Sequence, residues 1–118
     1  MLIRPACLED ADILSALVHS VVSYLTIHDD GRNAEAFFAS ITPAAMAERL
    51  QSPQFRYWIA IDDHQDVVGA VSIRDNAHLY HLFVDPKHHQ QGYGSQLWSH
   101  VKAYALANGN PGVFTVNS

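Results

Sequence analysis

Two glycines one residue apart, Gly92 and Gly94, sit in the stretch "DPKHHQQGYGSQLW", where an apolar strand ends and an amphipathic helix begins. A helix N-terminus carries unpaired N–H groups and a partial positive charge, so it binds anions readily. With no Cβ on either glycine, a phosphate can come close to several consecutive amides. The plainer alternative is a turn that only links strand to helix, and the pattern by itself leaves both open. Histidine is the other chemical resource: there are eight, and imidazole takes and gives protons near neutral pH.

The histidine spacing argues against a metal centre. His78 and His81 are three apart on a strand and face opposite sides unless a bulge intervenes. Adjacent His88 and His89 cannot readily chelate together, and no cysteine or carboxylate cluster joins them. His19, His28, His64 and His100 read as surface residues, and Trp58 and Trp98 as packing. Familiar nucleotide loops also fit badly. A P-loop needs a Lys after its second glycine, and the dinucleotide fingerprint needs a third glycine where Leu97 stands.

The elements that must position these groups follow from periodicity. "LIRPA" reads as an opening strand. In "EDADILSALVHSVVSYL", Ile13, Leu14, Leu17, Val18, Val21, Val22 and Leu25 recur at helical spacing. Glu9, Asp10 and Asp12 at its start complement the helix dipole. After a polar loop "HDDGRN" and a short helical turn in "AEAFFAS", Thr42 as N-cap and Pro43 at the first position predict a second helix. "RYWIAI" and "VVGAVSI" flank "DDHQD" as a hairpin, and Asp75-Asn76 makes a tight connection into "AHLYHLFV". A helix then runs from Gly92 to about Asn108, with Gly109 placed to end it. "GVFTV", Gly112 to Val116, is predicted as the last strand. The final strand–helix–strand unit implies a parallel pair, and the rest an antiparallel meander. The fold class is α+β: a mixed, mostly antiparallel sheet flanked by helices.

Bulk properties bound the function. With 118 residues, one domain spans 1–118, large enough to bury roughly two-thirds of its unfolded surface. A net charge of −5, from seven Lys and Arg against twelve Asp and Glu, comes with no basic run, so no nucleic-acid partner is expected. No apolar stretch approaches the ~20 residues that span a bilayer, and the N-terminus does not read as a signal peptide. A single cysteine, Cys7, points to a reducing, cytoplasmic setting.

Taken together, "LFVDPKHHQQGYGSQLW" and the opening "IRPACLEDADIL" resemble the GNAT superfamily of N-acetyltransferases. That family's pyrophosphate loop reads Q/R-x-x-G-x-G/A after a strand ending in V-x-P. Here His89 stands in the Gln/Arg slot, a departure, and is followed by Gln90, Gln91, Gly92, Tyr93 and Gly94. The resemblance covers the whole chain and implies acetyl-CoA as cosubstrate. It implies that the backbone of Leu82, Phe83 and Val84 pairs with the pantetheine arm, and that the amides from His89 to Ser95 wrap the pyrophosphate. A strand amide near Leu82 would polarise the thioester carbonyl, and Asn117 matches a cofactor-contacting position. His78 falls where some members carry a catalytic Glu, and His81 is the second candidate base.

Relatives of this kind continue past the fifth strand with a further helix and two strands, so the chain reads as a short form lacking them. Two expectations follow. The apolar edge of Gly112 to Val116 needs cover, predicting a homodimer. The general acid must come from Tyr80, Tyr93, a partner chain or water. The implied activity is acetyl transfer to a primary amine of a small molecule or a protein or peptide. The alternatives are a catalytically impaired CoA-binding or oligomerising module, and an α+β interaction domain whose glycine turn is only a turn.

Overall fold

The computed structural model describes residues 2–27, 39–85, 87 and 92–116, with backbone only for 22–27. The elements are β1 (Leu2–Pro5), α1 (Ala11–Ile27), α2 (Pro43–Gln51), β2 (Phe55–Ile61), β3 (Val67–Arg74), β4 (His78–Val84), α3 (Tyr93–Ala107) and β5 (Thr115–Val116). They form a five-stranded sheet in the order β1-β2-β3-β4-β5. Every neighbouring pair is antiparallel except β4 and β5. The α+β architecture is the one expected from the sequence.

Local chemistry explains several boundaries. The Thr42 side chain accepts from Ala45 N at 3.2 Å and caps α2, with Pro43 in its first turn. Asp75 and Asn76 both have positive φ (54° and 59°), and Ala77 N donates to Arg74 O at 3.1 Å. Positive φ at both central positions is the tight hairpin turn whose twist matches its strands. The entry to α1 differs from expectation. A 3-10 turn, Leu8–Asp10, precedes it. Asp10 accepts from Cys7 N at 2.8 Å and from both terminal nitrogens of Arg4 at 3.0 Å. That pairing, with the Arg4 hydrogen bond its largest cause, holds the Asp10 carboxyl below the usual carboxylate range.

The last strand is shorter than predicted. Asn110 Oδ1 accepts from Gly112 N at 2.6 Å and Val113 N at 3.0 Å, folding that segment into a turn. Gly112 takes φ 104° there, so only Thr115–Val116 pairs, opposite His78 and Leu79. Asparagine side chains compete with strand ladders in this way.

Two hydrophobic layers cover the sheet. On one face α1 and α2 bury Leu14, Val18, Ile41 and Met46 against Tyr57, Ile59 and Ala70. On the other, α3 buries Leu97, Val101 and Ala105, at i, i+4 and i+8, against Trp58, Val71 and Ile73. Gly69 permits this close approach: a Cβ there would lie 3.0 Å from Leu97 Cδ1 and 3.0 Å from Phe83 O. Trp58 is buried in this layer, and Trp98 stacks edge-on to Phe114 at 5.3 Å, as packing residues.

Candidate functional site

Strand β4 carries the site, and an irregularity within it sets the geometry. Ser72 pairs with His81, but Ile73 pairs with Leu79, so Tyr80 is an extra residue in β4. A bulge of this kind re-aims the side chains that follow it. His78 pairs with Arg74 and His81 with Ser72, two positions on the same side of β3. His78 and His81 therefore share a face, the one covered by α1 and α2. Plain alternation would have put them on opposite faces.

His81 is buried, with 8% of its surface exposed. Arg49 Nε donates to Tyr57 Oη at 3.0 Å, and Tyr57 Oη lies 3.1 Å from His81 Nδ1. A guanidinium can only donate. The phenol oxygen therefore accepts from Arg49, and its contact with Nδ1 ties the His81 ring to the same group. Burial first, and the positive charge of Arg49 second, push the His81 pKa down to about 3. Burial likewise raises the Tyr57 phenol. The His81 backbone is tied as well, donating to Ser72 Oγ at 3.2 Å. Sequence reasoning missed Arg49, Tyr57 and Ser72, because each reaches His81 across separate elements.

His78 has a different setting. Its Nδ1 lies 2.7 Å from Thr115 Oγ1 on β5. Its Nε2 is shielded from solvent and has no hydrogen-bond partner among the described residues. An orphaned ring nitrogen of this kind is uncommon and marks a place where another group is expected. Tyr80, the bulge residue, lies against Phe55 at 4.9 Å and His81 at 4.4 Å. The guanidinium carbons of Arg49 and Arg74 stand 5.5 Å and 5.9 Å from its ring centroid.

Further along β4, Asp85 N donates to Val68 O at 2.8 Å, and His81 N also turns toward β3. By strand alternation the N–H of Leu82 points to the opposite, outer edge. Among the described residues, β5 pairs with β4 at His78 and Leu79. The start of α3 meets the end of this edge. Gly92 adopts φ 78°, its carbonyl accepts from Gln96 N at 3.1 Å, and among the described residues no side chain caps the helix. A Cβ on Gly94 would lie 3.8 Å from Val84 Cγ2, an ordinary contact, so this helix end packs directly on β4. Gly94 and Ser95 sit in the first turn of α3. The sequence-predicted positions His89, Gln90, Gln91 and Asn117, together with His28 and His88, lie outside the described residues.

A family model described as an acetyltransferase (GNAT) domain matches residues 20–118. The chain belongs to the GNAT acetyltransferase family. Solved GNAT structures share its fold. A GCN5-related N-acetyltransferase from Rhodopseudomonas palustris is 25% identical, with TM-score 0.82 over 99% of this chain and 72% of its own. PaiA N-acetyltransferase from Thermoplasma acidophilum, solved in complex with coenzyme A, is 14% identical, with TM-score 0.79 over 91% of this chain and 72% of its own. A ribosomal-protein-alanine N-acetyltransferase from Brucella melitensis is 18% identical, with TM-score 0.71 over 100% of this chain and 80% of its own. No curated protein sequence gives a match. In this GNAT chain the bulge at Tyr80 follows the two residues of β4, His78 and Leu79, that pair with β5. Of the residues assigned from sequence, His78, Leu82, Phe83 and Val84 lie along that strand and Gly92 to Ser95 at its far end. No described helix is long and apolar enough to cross a membrane.

Proposed function

We propose that the chain transfers an acetyl group from acetyl-CoA to the primary amine of a small molecule or peptide. One observation carries this reading: the outer edge of β4, to which the Leu82 N–H points, leads to the glycine-opened N-terminus of α3. An extended amide-bearing chain adds to such an edge as a strand would. A diphosphate at its end meets backbone N–H groups and the positive end of the helix dipole. The pantetheine arm and pyrophosphate of CoA have that chemistry in that order. The outward N–H of Leu82 is then placed to hydrogen-bond the thioester oxygen as charge develops on it.

The base in this reading is His78. A protonated amine has no lone pair, so its proton must leave before or as nitrogen attacks the thioester carbon. His78 Nε2 has no hydrogen-bond partner among the described residues. His81 Nδ1 is already hydrogen-bonded to Tyr57 Oη, and its low pKa suits a permanently neutral ring. His81 therefore serves as support for the bulge. The exposed free thiol of Cys7 fits a reducing cytoplasm. A homodimer belongs to the same reading, on the strength of Val113 and Val116, which are 65% and 59% exposed. Light scattering at micromolar concentration tests it, and a monomer there would remove it.

Calorimetry with acetyl-CoA, followed by thiol release with a panel of amines, tests the enzyme reading. Micromolar binding with amine-dependent thiol release is expected. His78→Ala is expected to lower turnover by about 10²–10⁴-fold with acetyl-CoA affinity kept. Binding without release by any amine would leave a CoA-binding module, and no binding by a folded sample would remove the reading.

A further inference from the structure

Resting on the acetyltransferase reading, the geometry points to an acceptor amine that also carries a carboxylate, held by Arg74 while its nitrogen faces His78. Arg74 and His78 are direct cross-strand partners, the last pair before the Asp75-Asn76 turn. Side chains of such a pair stand neighbour to neighbour on one face, with Cβ atoms about 5 Å apart. One supplies a buried ring nitrogen with no partner among the described residues, the other a guanidinium.

The Arg74 guanidinium is held and yet largely unspent. It lies over the Tyr80 ring, 5.9 Å from the centroid, which fixes its plane by cation–π stacking. Its one ion pair among the described residues is to Asp75, its own chain neighbour, at 3.7 Å. The side chains of that pair are 42% and 60% exposed, so the bridge is weak and easily exchanged. Arg49 occupies the same ring at 5.5 Å and adds a second positive charge. Its donors, however, go to Tyr57, the Ser40 carbonyl and Met46. Two cations thus border this part of the site, and among the described residues Asp75 is the one carboxylate in contact with them there. A planar guanidinium with open donors matches a carboxylate in a two-pronged contact. A polycationic amine would meet repulsion in the same place. The acceptor class is therefore amino-acid-like, with amine and carboxylate a few bonds apart.

Product affinity tests this without depending on turnover. N-acetylalanine and N-acetylalaninamide differ in the carboxylate and carry no ionisable amine to confuse the comparison. NMR titration of the full chain, following the Tyr80 amide and Arg74 Nε–H, is expected to show the carboxylate form binding about tenfold tighter or more. In Arg74→Gln that ratio should fall to near one, while Arg74→Lys should restore part of it. Equal affinities, no binding of either compound, or a preference that survives in Arg74→Gln would overturn the inference. Acetyl-CoA binding, measured on the same sample, reports separately on the acetyltransferase reading. A chain that binds acetyl-CoA but shows no carboxylate preference sinks only the acceptor class.

Discussion

Gly92→Glu is expected to abolish measurable acetyl-CoA binding while leaving the chain folded. Gly92 sits at φ 78°, where a side chain costs about 1–2 kcal/mol. Space is not the obstacle, since a Cβ there would meet only Gln96 Nε2, at 4.0 Å. A carboxylate at a helix N-terminus interacts favourably with the dipole, which offsets part of the backbone cost. The same carboxylate would stand where the reading puts a diphosphate, so repulsion falls on binding. Gly92→Ala separates the two effects. It carries the backbone cost without the charge and is expected to weaken binding by about tenfold or less. Calorimetry with acetyl-CoA, on samples checked by thermal melting, gives the answer. Wild-type affinity in Gly92→Glu would mean that the glycines only turn a corner.

Acid should destabilise this protein well above the range where carboxylates titrate. His81 has a reference pKa of 6.5 and is held near 3 in the folded chain. A group that stays neutral when folded but takes a proton when unfolded makes the unfolded state bind more protons at low pH. Stability is then complete above the unfolded value and is lost as pH falls from 6.5 toward 3. By pH 5 the expected loss is about 2 kcal/mol, at roughly 1.4 kcal/mol per pH unit below 6.5. The Arg4–Asp10 pair adds a separate effect. Asp10 is depressed below 3.8, so its contribution is present above that value and lost only as pH falls through the lower range. Urea unfolding between pH 7 and pH 5, on wild type and His81→Gln, tests the first effect. A slope unchanged in the variant would mean that His81 is not the group responsible.

Much of the fold could be read locally because its signals act over a few residues. Thr42 and Pro43 mark the start of α2, and Asp75 and Asn76 accept positive φ. Leu97, Val101 and Ala105 repeat at helical spacing, and each feature appears where it was expected. The short last strand was misread because Asn110 takes Gly112 N and Val113 N with its side chain. Five residues of apolar character in "GVFTV" do not reveal that competition.

The site divides along the same line. The glycine turn and the strand before it were legible in sequence, since helix N-termini and missing Cβ atoms are local facts. The Tyr80 bulge was not, because it exists only in the register between β3 and β4, and it decides that His78 and His81 share a face. Nor was the difference between those two histidines. His81 is silenced by Arg49 from α2 and Tyr57 from β2 together with burial, and His78 is left with a buried nitrogen beside Thr115 from β5. The sequence by itself determined the elements, their order and the anion-ready helix start, which depend on backbone propensity and side-chain period. Only the tertiary structure decided which imidazole is buried against Tyr57 and Arg49 and which guanidinium stands beside the other. Desolvation and charge proximity depend on residues brought together from distant parts of the chain.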